Sequence, residues 1–414
     1  MLKSLIVVCC FILSAVLVFM RLPAHPLIMQ FALPAQNTAK QLVKHPDSTF
    51  VVSDLAEKKT AQGKVQSLYV HDFIDHHITP SVHSATAAVL SDGRLISCWY
   101  GGTREGHRDV RIFCAYYQQQ QWSEPHVVMT RQQTAQATRT YIKKLGNPVL
   151  YFSAQKQQLW LFYVSVSVGG WSASQINFAV SADMGLTWSQ PRRLISSPFI
   201  NISTLVKNTP VEMDQGYLAL PVYHEGLAKF SELLLLDIEQ QQVIYKSRIS
   251  HRRSGIQPYL FVADTQHAMA VIRNTMAKSA SGVSEKKMLF STTENGGLHW
   301  QPMRVTGLLN PDSAVGGLAV DGLPWLVAFN DHRDTRENLS LAAYIGDKWQ
   351  HIATLMEEEG GRFSYPWLLR DHDGIFHVFF THHRQQIDHI RFNKAWLLEK
   401  IEKQMDYRDQ MIMQ

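Results

Sequence analysis

Cysteine is scarce in this chain, four in 414 residues. None of these, nor any of the nineteen histidines, falls in a C-x-x-C or H-E-x-x-H frame, which removes the common signatures of thiol-redox and zinc chemistry. His76-His77 and His382-His383 are adjacent pairs. Neighbours in a strand point to opposite faces, so neither pair is expected to clamp a metal, and surface or hydrogen-bonded roles are expected instead. Charge is also sparse: 18% of residues are charged and the formal net charge is +5. The basic residues are scattered, which argues against a nucleic-acid surface. Collagen-like, mucin-like and acidic stretches are missing, and composition is that of an ordinary globular protein. No long amphipathic helix precedes AWLLEKIEKQMDYRDQ near the C-terminus, which speaks against alternating strands and helices.

What the chain does contain begins with an apolar run. Lys3 supplies a positive flank, Leu5 to Met20 is almost wholly apolar, and Arg21 and Pro23 end it. Residues 1–24 therefore read as a signal peptide or short membrane anchor, exporting or tethering the remainder outside the cytoplasm. Residues 25–65, including AEKKTAQGK, read as a linker. From 66 to 395 the pattern becomes short apolar or alternating runs such as RLISCWY, QLWLFYVSV, SELLLLD and GIFHVFFTHH, broken by Gly, Asp, Asn and Pro, which predict strands. Residues 396–414 read as a C-terminal helix. Cys98 and Cys114 lie on two strands flanking one loop, where either a cross-strand disulfide or two buried thiols would fit.

A repeat decides among all-β architectures. Ser181 to Trp188 (SADMGLTW) and Thr293 to Trp300 (TENGGLHW) both fit S/T-x-D/N-x-G-x-x-W, each directly after a strand. The Asp or Asn side chain accepts backbone amides in a tight turn, Gly supplies positive φ, and Trp packs between sheets. Degraded copies end at Trp122 and Trp349. Units starting near His83, Asn147, Asn208, Gln257, Ser313 and Tyr365 predict an all-β, six-bladed β-propeller. Its last blade lacks a strand, which the early segment SLYVHDFI is expected to supply, closing the ring.

These Asp-box repeats, with phrases such as CWYGGTREGHRDVRI, NISTLVKNTPV and RFSYPWLL, resemble the sialidase (neuraminidase) superfamily, in its bacterial branch with BNR-type repeats. The resemblance implies three arginines on a substrate carboxylate, a tyrosine nucleophile aided by a glutamate, and an aspartate acid/base. Carried onto this chain it implies Tyr365 as nucleophile, Arg336 and Arg273 as carboxylate ligands, and Asp109 as acid/base. Two positions depart from the pattern: His83 stands where the first-blade arginine would open its strand, and Gln257 stands at the glutamate position. Glutamine cannot take a proton from tyrosine. Glu225, Glu105 and Asp331 are candidate replacement carboxylates, and Arg104 and Tyr223 candidate sugar contacts.

The expected activity is an exo-glycosidase that removes a terminal acidic sugar, sialic acid or a relative, from a glycan. The alternatives are a uronate-directed polysaccharide lyase working through His83, His224 and Tyr365, and a non-catalytic glycan-binding propeller. Trp99, Tyr100, Trp171 and Tyr223 would stack on sugars or pack between blades. No cofactor is called for by any of these readings.

Overall fold

The computed structural model describes residues 2–21, 28–33, 65–74, 78–197, 201–226, 228–250, 255–275 and 286–412. The apolar runs of the central region form antiparallel strands grouped in six sheets. Alternate positions are apolar and each sheet packs on both faces, so inner strands are buried throughout, as in Leu95–Gly102. The innermost strands of the six blades begin at Ser81, Lys144, Thr204, Gly255, Gly316 and Phe363, close to the expected unit starts. The ring closes as expected: Tyr69–Ile74 pairs along Gln386–Phe392 as the outer strand of the last blade.

Neighbouring blades are fastened by side-chain-to-backbone bonds as well as by apolar packing. Trp367 Nε1 donates to the Ala87 carbonyl at 2.9 Å, and the Leu150 amide donates to Thr86 Oγ1 at 2.9 Å. Both Asp boxes adopt the expected turn. Asp183 accepts from the Thr187 amide at 2.8 Å, and Ser181 Oγ from the Gly185 amide at 2.7 Å. In the second box Asn295 accepts from the His299 amide at 2.9 Å, and Trp300 is buried against its blade.

Cys98 and Cys114 face each other in register and are disulfide-bonded. The C-terminal helix, Lys394–Ile412, packs on the propeller through Trp396, Leu397 and Ile401. Asn393 caps it by accepting the Trp396 amide at 3.0 Å, and the same side chain receives the Leu68 amide at 3.1 Å. One asparagine thus secures both the helix start and the closing strand.

Near the N-terminus, Leu2–Arg21 forms a helix whose described apolar side chains are mostly exposed. Among the described residues, no helix is long and apolar enough to cross a membrane. Within the stretch expected as linker, residues 28–33 lie against the propeller. Phe31 is fully buried, its amide donating to the Thr265 carbonyl, and Met29 lies beside the second Asp-box turn. His76-His77 and AEKKTAQGK fall outside the described residues.

Candidate active site

The inner strands of four blades carry the same irregularity. The ladder slips by a residue between His83 and Thr86, Gly146 and Val149, Ile256 and Tyr259, and Ser364 and Trp367. At each slip one residue takes a left-handed backbone: Ser84, Asn147, Gln257 and Tyr365, with φ of 59°, 43°, 56° and 56°. In three of them proline follows, which removes an amide donor where the ladder is already broken. Such a bulge re-aims a side chain out of the pleat. Here it brings Asn147, Gln257 and Tyr365, from three blades, to one hydrogen-bonded cluster.

At its centre is Gln257. Its Nε2 donates to Tyr365 Oη at 3.0 Å and to Tyr223 Oη at 3.1 Å, while its Oε1 accepts from Arg273 at 3.1 Å. The arginine fixes which end of the amide is oxygen, since a guanidinium only donates. Asn147 Nδ2 adds a bond to Tyr223 Oη at 2.9 Å. The Arg273 Nε donates to Asp312 Oδ1 at 2.7 Å, and Arg336 donates to the Asp312 carbonyl at 2.7 Å. Asp312 therefore positions both arginines. It was not singled out in the sequence, where only its Asn310-Pro311-Asp312 turn is visible.

His83 is buried with its ring 4.4 Å from that of Tyr365, and its Nδ1 is buried without a hydrogen-bond partner. Burial, then the charges of Arg384, Arg336 and Arg273, push its imidazole well below the usual histidine range. It is therefore neutral at physiological pH. The same charges identify a residue the sequence reading missed. Arg384 lies in the hairpin after Phe376–His382, in left-handed conformation with φ 60°. Its carbonyl accepts the Val82 amide, one residue before His83, and its guanidinium pairs with Glu105. An arginine of the neighbouring blade thus stands close enough to act on His83, the position where the resemblance implied one. No strand-register argument could have found it, because it belongs to a turn.

Beneath the tyrosine lies Lys207, which sequence reasoning also passed over. It is buried, and its Nζ donates to the carbonyls of Pro366 at 2.7 Å and Val315 at 2.8 Å and to Asn208 Oδ1 at 2.9 Å. Burial pulls its ammonium down to about 7. Pro366 follows Tyr365, so this lysine ties the bulge to two other blades.

The remaining expected residues divide. Glu225, at the end of Tyr217–Glu225, faces the charges of Lys229, Arg273 and Asp312, and burial raises its carboxyl above the usual range. Asp109 turns back into its own loop, accepting from Thr103 Oγ1 at 2.6 Å and pairing with His107 Nδ1 at 2.7 Å. Slight burial pushes its carboxyl up, but the bonds from Thr103 and His107 outweigh this and hold it at about 2. Arg104 is exposed and offers its carbonyl to the His107 amide; Asp331 offers its carbonyl to Asn338. No hydrogen bond among the described residues joins Asp109, Arg104 or Asp331 to the tyrosine cluster. His224 stacks on Phe230 and pairs with Glu232 at 2.7 Å.

Of the two roles open to the aromatics, packing holds for Trp99, Tyr100 and Tyr223, which are no more than 2% exposed. Only Trp171 of that set is partly exposed, with Lys144 Nζ 3.7 Å from its ring centre. One expectation needs correction: His382 and His383 do not diverge. The strand ends at His382, His383 has φ 50°, and the two rings stack at 4.6 Å.

With this geometry in place, the comparisons with known proteins are direct. The family model described as BNR repeat-like domain matches residues 93–378. No curated protein matches the sequence. Among solved structures, the fold is similar to the NanB sialidase of Streptococcus pneumoniae, at TM-score 0.61 and 11% identity, over 77% of this chain and 69% of that one. It is also similar to a Hadza microbial sialidase, at TM-score 0.60 and 15% identity, over 75% and 65%. A protein of unknown function from Dyadobacter fermentans matches at TM-score 0.64 and 10% identity, over 78% and 97%. The chain thus spans about two thirds of the two sialidases, and at these identities the likeness is one of fold.

Proposed function

The chain belongs to the BNR repeat-like domain family, and on that premise we propose that its axial cleft binds the carboxylate of a terminal acidic sugar and hydrolyses the glycosidic bond. The observation that carries this is the gathering of Arg273, Arg336 and Arg384 around Tyr365 and His83. Guanidinium groups are fixed-charge forks suited to a carboxylate. Arg273 and Arg384 already have acidic partners in Asp312 and Glu105, which leaves Arg336 as the one that a bound anion would relieve most. Burial and the charge of Arg273 both disfavour the charged form of Arg336.

The catalytic sequence follows from the groups at hand. Tyr365 Oη attacks the anomeric carbon and its proton passes to neutral His83, which takes the base role that Gln257, standing at the glutamate position, cannot fill. Gln257 holds the phenol oxygen in line through its amide donor. Glu225, with its raised carboxyl, protonates the leaving oxygen as the glycosidic bond breaks. Water then attacks the tyrosyl intermediate, gives its proton to Glu225, and His83 returns a proton to Tyr365. Configuration is retained across the two displacements. Asp109, held ionised, does not suit the acid role first assigned to it.

A panel of terminal acidic glycans, followed by the anomeric proton resonance, tests the reading. Release of an acidic sugar with retained configuration, lost in Tyr365→Phe, supports it. No release from any substrate by folded protein counts against it. A second reading is favoured by the His83–Tyr365 pair itself, which could remove the proton α to a uronate carboxylate while arginine neutralises the developing charge. New ultraviolet absorbance from an unsaturated product would identify that lyase. The apolar N-terminal segment and the Cys98–Cys114 disulfide further support a propeller tethered outside the cytoplasm, in an oxidising compartment.

A further inference from the structure

A second cluster includes the two residues that precede Arg384 in its hairpin. Glu358, His382 and His383 each offer one ligand atom, all within 4.8 Å of one another. Glu358 Oε2 is 2.9 Å from His382 Nε2 and 3.3 Å from His383 Nε2. Ligands at ordinary zinc–nitrogen and zinc–oxygen distances in a tetrahedron lie about 3.3 Å apart, so small side-chain rotations suffice to place an ion between them.

The positions come from different elements. Glu358 follows Lys348–Glu357 and sits in the connection between the fifth and sixth blades, where its amide is bonded to the Glu337 carbonyl. His382 ends a strand of the sixth blade, and His383 begins the turn, its amide held by the Arg362 carbonyl. The left-handed backbone at His383 is what turns both imidazoles to the same side.

The support behind the histidines resembles that of a built site. Asp388 is fully buried and its Oδ2 lies 3.1 Å from His382 Nδ1 and 2.9 Å from His71 Nε2, while its Oδ1 accepts from Gln386 at 2.6 Å. A carboxylate receiving the Nδ1 proton fixes the tautomer that leaves the His382 Nε2 lone pair facing Glu358. The ligand edge remains accessible, the Glu358 side chain being 47% and that of His383 34% exposed. Two imidazoles and one carboxylate suit zinc and its neighbours better than calcium or magnesium, which take oxygen.

We propose that Glu358, His382 and His383 bind one divalent transition-metal ion of the zinc class, with Asp388 as the outer support of His382. Three protein ligands leave a position for water or another donor. The ion ties the inter-blade loop to the hairpin whose next residue is Arg384.

The test uses the full-length chain with Cys9→Ser and Cys10→Ser, since both thiols are exposed competitors. Zinc and cobalt(II) binding are measured by titration calorimetry and by the visible spectrum of the cobalt form. The expected result is one equivalent bound, a cobalt spectrum without thiolate charge transfer, and a melting temperature raised by zinc. In His383→Ala and in Glu358→Gln binding weakens by about tenfold or more, at least the scale seen when only an outer partner is lost. No stoichiometric uptake, or uptake unchanged in both variants, overturns the proposal. Both side chains are partly exposed, so the variants are expected to fold, and circular dichroism checks this.

Discussion

Arg384 and His83 exchange places relative to what the first-blade strand suggests, and the consequence is testable at single residues. Arg384 sits on a turn whose carbonyl holds Val82, with its guanidinium paired to Glu105 and its charge acting on His83. If it binds the substrate carboxylate, Arg384→Ala raises KM by about 10- to 100-fold, the worth of one hydrogen bond to a charged group. Arg384→Lys recovers only part of this, because an ammonium lacks the fork. Steady-state kinetics on the released sugar read both. His83 makes a prediction about pH. Its imidazole is driven below the usual range by burial and by three arginines, so the neutral base form persists as pH falls through the ordinary histidine value of about 6.5. The acid limb of kcat/KM attributable to this residue therefore lies well below that value and disappears in His83→Gln, along with most of the activity. An acid limb centred on the ordinary value would contradict the assignment. The places of Tyr365, Gln257, Arg273 and Arg336 were legible because each stands on or just before a strand at a fixed offset in the blade repeat. Arg384, Asp312 and Lys207 were not, since turns and a strand interruption carry them and only the closed ring brings them inward.

At the scale of elements, Lys207 on the third blade joins the bulge at Tyr365 on the sixth to Val315 on the fifth. Its folded value of about 7 stands against an unfolded value of about 10.4. Between these the unfolded chain holds one more proton, so this residue makes stability rise with pH from about 7 toward 10. Urea denaturation across that range should show the rise in the parent and its loss in Lys207→Met. That variant also leaves the Val315 and Pro366 carbonyls without their donor, at about 1–3 kcal/mol for each buried group. The disulfide is a second such element. It closes a 16-residue separation, for which chain entropy assigns about 3 kcal/mol. Reduction, or Cys98→Ala with Cys114→Ala, should lower unfolding free energy by that order. The Asp-box turns were legible to the individual hydrogen bond because their chemistry is local. The four inner bulges were not, since a slip in pairing depends on the partner strand. Three of them leave a trace in the sequence, the dipeptides Asn147-Pro148, Gln257-Pro258 and Tyr365-Pro366, and the one at Ser84 leaves none.

For the whole molecule, the count of blades and the way the ring closes could be read from the repeat and from one missing strand. The reason is physical: an open sixth blade would leave an unpaired edge. What the sequence could not show is how the ends are secured. Asn393 receives both the closing strand and the C-terminal helix, and Tyr69 stacks on Trp396 at 5.1 Å. Removing residues 65–74 should expose the Gln386–Phe392 edge, lower the melting temperature and promote association, seen by size exclusion. The seating of residues 28–33 was equally hidden, because Met29 and Phe31 find their partners only in the assembled groove. The account as a whole rests on the claim that three arginines and a tyrosine form one acidic-sugar site on the propeller axis. The most direct measurement is the anomeric configuration of sugar released from terminal acidic glycans by the parent chain, with Tyr365→Phe and Arg384→Ala beside it. The account predicts a retained α or β configuration, no turnover in Tyr365→Phe, and weakened binding in Arg384→Ala. An inverted product, or undiminished turnover in Tyr365→Phe, would contradict it.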